Sequence, residues 1–317
     1  MRGAGAAAAL LLAALLPLAG CAAAPPSPAG PDEPEPTAGP LAAAVDELHV
    51  VAEVYRTRSD PGRGGIQLSL RNDGAAPLVV RSARLDSPAL AAAATREDEA
   101  TVPAGLQRDL PMLLPAPVCE GSAAPAPPEA VLEVLLADGT TAELRLPTAD
   151  RIGQWARWHA EACLAATAAA LAELRLEAAP AAEGEIGVRL VAAPGAGGAE
   201  GASGAEGGGS VRLLEVSGSV LLSALDADGR PAAGIPVPSA LSTAPTELAL
   251  RYAPARCDAH AIADDKQGTH LRVRLAITTE EGVREGEVVV VPEPAVRDAL
   301  LAAVVAACAS RSPGDGG

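Results

Sequence analysis

From about residue 48, apolar and polar residues alternate with a period of two, the repeat of a strand that buries one face. His49–Tyr55, Ile66–Leu70, Leu78–Leu85, Val131–Leu136 and Ala142–Leu146 carry this pattern, and Asn72-Asp73-Gly74 and Asp138-Gly139 supply turns between them. Over Ala149–Ala170 the period lengthens to that of a helix, which would gather Ile152, Trp155, His159, Ala162, Cys163 and Ala166 on one face. The same order then comes again. Leu171–Leu176, Gly187–Val191, Val211–Val216, Val220–Leu225, Glu247–Tyr252, Leu271–Ile277 and Glu287–Val291 read as strands, and Pro294–Ala309 reads as a closing helix.

Landmarks align the two halves. Leu110 lies nine residues before Cys119, and Leu248 nine before Cys257. An acid follows each cysteine (Glu120, Asp258), two strands follow, and these end at Pro147 in one half and Pro292 in the other. Sixteen residues beyond each proline comes a second cysteine, Cys163 or Cys308, inside a helical stretch. This spacing predicts a tandem duplication with halves at 46–168 and 171–310. The expected fold is mainly β (α+β), two tandem β-sandwich-like domains, each ending in a disulfide-stapled C-terminal helix. The glycine-rich run 195–210 takes the place of the tight loop at Asn72–Pro77, so it reads as a flexible insertion between two strands. The tail 311–317 reads as disordered.

Residues 1–20 place one positive charge, Arg2, before an apolar run that ends in small residues, the order of an export signal and short for a stable span. The run closes Leu18-Ala19-Gly20-Cys21, which resembles the lipobox of bacterial lipoproteins. That resemblance implies that Cys21 is lipidated, palmitate included, and becomes the first residue after cleavage. The chain would then be held at the extracytoplasmic face of the cell membrane by several acyl chains, each buried CH₂ adding roughly 0.8 kcal/mol. The Pro-rich, acidic stretch over 21–45 has no apolar periodicity and reads as a disordered tether.

Five cysteines then divide into Cys21 and two pairs. An oxidising compartment favours disulfides, and a duplicated domain carrying its own staple selects Cys119–Cys163 and Cys257–Cys308 among the three connectivities. Free or metal-bound thiols are the alternative.

Charge and composition exclude some functions. The chain holds 24 Lys+Arg against 40 Asp+Glu; removal of the leader takes Arg2, so 23 basic residues face 40 acidic ones and the mature charge is near −17. Such a surface repels phosphate, and Tyr55, Trp155, Trp158 and Tyr252 are the only aromatic residues, so no nucleic-acid partner is expected and sugar stacking is disfavoured. Lysine occurs once against 23 arginines, and alanine, glycine and proline abound, as in high-GC genomes.

The most polar cluster is Cys257–His270, with two of the four histidines and the single lysine. Asp258, His260, Asp264, Asp265, Lys266 and His270 could bind a metal or a small polar ligand, or form a solvated loop leading into a strand; their spacing matches no defined metal pattern. The stretch Cys-Asp-x-His-Ala-x-Ala-x-Asp-Lys-x-Gly-Thr also resembles one in actinobacterial exported proteins and lipoproteins, over roughly 245–310. That resemblance implies compartment and domain type, and it transfers no catalytic residue. Trp155 and His159, one helical turn apart, could touch a ligand but suit a helix packed on a sheet.

No Gly-x-Ser-x-Gly elbow, His-Glu-x-x-His or Walker loop occurs, and no cofactor motif is recognised. The expected function is therefore a non-catalytic binding or assembly module of the cell envelope with a protein partner. The alternatives are solute or metal binding through 258–270, and an envelope hydrolase.

Overall fold

A computed structural model of the protein describes residues 47–120, 124–195, 209–241, 244–264 and 267–310. The leader, Cys21, the tether, most of the glycine-rich run, Asp265, Lys266 and the tail lie outside the described residues. In the first half the elements are β1 (Val50–Tyr55), α1 (Asp60–Arg63), β2 (Gly65–Asn72), β3 (Leu78–Asp86), β4 (Ala94–Arg96), β5 (Ala100–Val102), β6 (Gln107–Leu113), β7 (Glu129–Leu135), β8 (Thr141–Ala149) and α2 (Gln154–Leu171). In the second they are β9 (Ala172–Ala179), β10 (Ile186–Pro194), β11 (Ser210–Ser217), β12 (Leu222–Ala224), β13 (Gly234–Ala240), β14 (Thr246–Pro254), α3 (Ala259–Asp264), β15 (Leu271–Thr279), β16 (Gly282–Val290) and α4 (Pro294–Ala309).

The central strand pairings are the same in both halves. In the first, β1-β2-β6 forms one layer and β4-β3-β7-β8 the other, with β5 also on β3. In the second, β9-β10-β14-β12 faces β13-β11-β15-β16. Thus β1, β2, β6 pair as β9, β10, β14 do, and β3, β7, β8 pair as β11, β15, β16 do, the crossed-over order of immunoglobulin-type sandwiches. Among the described residues β5 on β3 and β12 on β14 have no counterpart in the other half, and a third pairing is found in the first half alone. The end of β8 runs parallel to β1 through Ala52–Thr148 and Glu53–Ala149, which joins the two layers of the first half into one eight-stranded sheet.

Each sandwich has its own core. Val54, Ile66, Leu68, Leu70, Leu85, Leu110 and Leu132 fill the first, with Trp155 and Trp158 from α2. Ile186, Val188, Leu190, Leu213, Tyr252, Leu271 and Leu275 fill the second, with Leu300 and Val304 from α4. With no phenylalanine in the chain, aliphatic side chains from both inner faces close the gap between layers.

The helix α2 departs from the sequence pattern. It begins at Gln154, because Thr148 and Ala149 still belong to β8 and Gly153 turns the chain with φ +67°. Ile152 therefore lies before the helix, 66% exposed, and Ala166 faces solvent. The first turn is capped by Asp150, whose carboxylate accepts from the backbone N–H of Gln154 (2.8 Å) and Trp155 (2.9 Å).

Its far half also leaves the first domain. Ala168 is buried in the second core, Leu164 and Leu171 pack against it, and a β-carbon at Gly286 of β16 would overlap the Leu164 side chain. One helix therefore seals two cores, and β9 starts directly at its end. Among the described residues, no helix is long and apolar enough to cross a membrane.

Candidate functional site

The segment after β14 is held at three points. Cys257 is bonded to Cys308 of α4, with α-carbons 5.6 Å apart. Ile262, on the short helix α3, packs against the second core. Beyond it, Ser219 Oγ donates to the Gly268 carbonyl, Thr269 is buried, and the Gln267 side chain lies against Gly62 of α1 in the first half.

The candidate ligands are spread along this path. Asp258 is exposed and ion-paired to Arg256 at 3.3 Å, His260 is exposed on α3, and His270 is half-buried at the mouth of β15. Asp264 ends α3; Asp265 and Lys266 lie outside the described residues. Among the described residues no group of three or more His, Cys, Asp or Glu is placed to hold a metal ion. What had read as an open loop contains a helical turn, because Ala259–Asp264 is rich in helix-forming alanine.

A second polar cluster, on the outer face of β1-β2-β6, was not read from the sequence. The register sets Glu53 beside Ser69 and Ser69 beside Asp109, with Tyr55 beside Gln67 in the adjoining row. Tyr55 donates to Asp109 Oδ2 at 2.5 Å, Ser69 donates to Asp109 Oδ1 at 2.7 Å, and Gln107 donates to Ser69 Oγ at 2.6 Å. One turn away, buried Asp60 accepts from Gln67 Nε2 (2.7 Å), Thr57 N (2.7 Å) and Thr57 Oγ1 (2.8 Å).

Both carboxylates are thus occupied by neutral donors. The bond to Asp109, then burial, then the charges of Asp109, Asp60 and Glu53 push the Tyr55 phenol up to about 12, so it holds its proton at neutral pH. Gln67 and Ser69 had the alternation of a solvent-facing row, and only the strand register shows that they are buried.

A polar belt ties this face to α2. Gln154 accepts from Arg56 N at 2.8 Å and donates to Arg56 O at 3.2 Å, Arg56 pairs with Glu161 at 3.1 Å, and Arg151 pairs with Glu53. The other outer sheet faces carry Arg–carboxylate ladders, such as Glu177–Arg189–Glu247 and Glu129–Arg145–Glu143. Two shallow depressions, about 430 Å³ beside Asp86 and Glu129 and about 370 Å³ between β13 and β14, include none of the 258–270 residues.

The first disulfide has its own surroundings. Cys119–Cys163, with α-carbons 5.5 Å apart, joins the β6–β7 connection to α2. His159 Nε2 lies 2.7 Å from the Val118 carbonyl oxygen and 3.6 Å from Cys163 Sγ. The Trp155 and Trp158 rings sit 4.8 Å apart beneath it, both buried, so the tryptophans serve the core.

No family model matches the chain, and no curated protein matches it. Among solved structures, red sea bream transglutaminase is similar over 77% of this chain and 31% of its own, at 13% identity and a TM-score of 0.23. The YadV chaperone is similar over 73% of this chain and 94% of its own, at 11% identity and 0.18. The CupB2 chaperone of Pseudomonas aeruginosa follows over 72% and 93%, at 9% identity and 0.16. The chain spans about a third of the length of the transglutaminase. At these scores no statement about function follows.

Proposed function

We propose that the chain is an exported lipoprotein, anchored through Cys21 at the extracytoplasmic face of the cell membrane, that works as a non-catalytic binding or assembly module of the envelope. The observation that carries the anchoring is the cysteine pairing. Cys119 bonds Cys163 and Cys257 bonds Cys308, which suits an oxidising compartment and leaves Cys21 as the remaining thiol, at the end of Leu18-Ala19-Gly20.

The binding reading rests on the surface. Two stapled sandwiches joined by one helix present broad faces of paired charges and hydrogen bonds, and the processed chain carries a charge near −17. Faces of this kind suit recognition of a protein with complementary charge.

The test has two arms. Cells making the full chain are labelled with radioactive palmitate and fractionated, beside cells making Cys21→Ser; label and membrane association should both be lost in the variant. Crosslinking in intact cells, read by mass spectrometry, should then give one envelope protein reproducibly, and its yield should fall with added salt. Unlabelled wild-type chain overturns the anchor. Labelled chain without a crosslinked partner overturns the binding role.

A further inference from the structure

The two staples occupy the same place in the two halves, so each is a control for the other. Four residues before Cys308, α4 has Val304, fully buried in the second core. Four residues before Cys163, α2 has His159. A helix brings residues four apart onto one face, and here that spacing sets an imidazole against a sulfur. Its Nε2 also meets the carbonyl of Val118, the residue preceding Cys119, so that nitrogen carries the proton and donates to Val118 O at 2.7 Å. The same N–H lies 3.6 Å from Cys163 Sγ. Cys163 is buried and Cys119 only partly so, which makes Cys119 the accessible sulfur. The charged neighbours on these two segments, Glu120, Arg157 and Glu161, are all exposed, and Glu161 is held by Arg56.

We propose that Cys119–Cys163 is a thiol–disulfide exchange site with His159 as its positioning residue, and that Cys257–Cys308 is a plain structural staple. A dithiol reductant attacks as thiolate at Cys119 Sγ, forming a mixed disulfide. The Cys119–Cys163 bond breaks, and Cys163 leaves with the electron pair as a thiolate that accepts a hydrogen bond from His159 Nε2–H. The second thiol of the reductant, as thiolate, then attacks the reductant's first sulfur in the mixed disulfide, and the bond from that sulfur to Cys119 Sγ breaks. Cys119 leaves as a thiolate, and the reductant departs as a disulfide, two electrons having passed to the protein. In the second half the matching residue, Val304, offers Cys308 no donor. Reduction frees the β6–β7 connection from α2, a helix packed in both cores, so the change at this bond reaches both halves.

The experiment uses the full chain in dithiothreitol buffers of graded reduced-to-oxidised ratio, with thiols alkylated and each disulfide quantified by peptide mapping. His159→Val should move the Cys119–Cys163 midpoint roughly tenfold toward higher reduced dithiothreitol, the lower end of what a hydrogen bond to an ion supplies. His159→Gln, which keeps an N–H donor, should restore part of that shift, and the Cys257–Cys308 midpoint should stay in place. An unmoved Cys119–Cys163 midpoint, an equal shift of both disulfides, or a shift toward lower dithiothreitol overturns the proposal. A wild-type measurement stands beside the variants: with glutathione, the trapped mixed disulfide should map to Cys119, and an adduct mainly on Cys163 overturns it.

Discussion

Tyr252 lies at the centre of the second core, fully buried on β14, and its hydroxyl meets no hydrogen-bond partner among the described residues. Tyr252→Phe removes that oxygen and keeps the ring, so packing is preserved and no cavity larger than one atom remains. A buried hydroxyl without a partner costs about 1–3 kcal/mol of lost hydration. The substitution recovers that cost less a few tenths for the small void, a gain of about 1 kcal/mol. At about 2.1 cal/mol/K of unfolding entropy per residue, in a chain of this size this raises Tm by about 2 °C.

The assay is guanidinium unfolding of the oxidised full chain followed by circular dichroism, in which the midpoint should rise with an unchanged slope. A second arm uses pH. Burial raises the Tyr252 phenol pKa in the folded state, so its contribution is fully present below the unfolded value near 10 and is lost as pH rises through the folded value. The phenylalanine variant has no such loss, and its advantage over wild type should widen above pH 10. A variant about 1 kcal/mol less stable at pH 7, or an advantage that stays flat above pH 10, would refute the orphaned hydroxyl.

Three further outcomes follow from the same geometry. Gly286→Val sets a side chain where Leu164 packs, so thermal melts should show a loss of about 1–3 kcal/mol, partly recovered by Leu164→Ala in the same chain; an unaffected melt would mean that α2 does not seat on β16. Absorbance at 295 nm should show almost no tyrosinate in the native chain at pH 10, where the unfolded chain is half titrated. The first native step, near 12, should move down in Asp109→Asn, and a native midpoint at 10 in wild type would contradict the Tyr55–Asp109 bond. Asp60→Ala leaves the Gln67 amide buried without its acceptor, and chemical denaturation should show a loss of about 2 kcal/mol; a change under 0.5 kcal/mol would mean that water replaces the carboxylate at no cost.

Where one face of an element is apolar and the other polar, the sequence already located it. The helix Pro294–Ala309 matches its predicted bounds, because Pro294 can only start a helix and Leu300, Val304 and Ala307 repeat at helical spacing. Both disulfides were legible because two cysteine spacings agree between the halves. The strand β6 was not. Gln107-Arg-Asp-Leu-Pro-Met-Leu buries only Leu110 and Met112, lies at the edge of its layer, and contains a proline that an edge tolerates. Without β6 nothing brings Asp109 beside Ser69, and the polar face of the first sheet stayed hidden for that reason. The double role of α2 was hidden differently. Its second contact sets Leu164 against Gly286 and buries Ala168 in the second core, and a missing side chain on a distant strand leaves no periodic signal.

The halves also show which positions the fold fixes and which it leaves to chemistry. Counting back from the helix cysteine, eight residues give Trp155 in one half and Leu300 in the other, and four give His159 and Val304. At eight residues both side chains are fully buried, so that position must be apolar and large enough to seal the core. At four, Val304 is fully buried while His159 is only half-buried and spends its ring nitrogen on the Val118 carbonyl, beside a sulfur atom. A purely structural staple has no need of that nitrogen, because Cys257–Cys308 closes the same loop without one. At the two staples, the chemical difference between the halves is therefore the imidazole beside Cys163. If the Cys119–Cys163 bond responds to a dithiol and its counterpart does not, the first half carries a chemical property that the shared fold does not require.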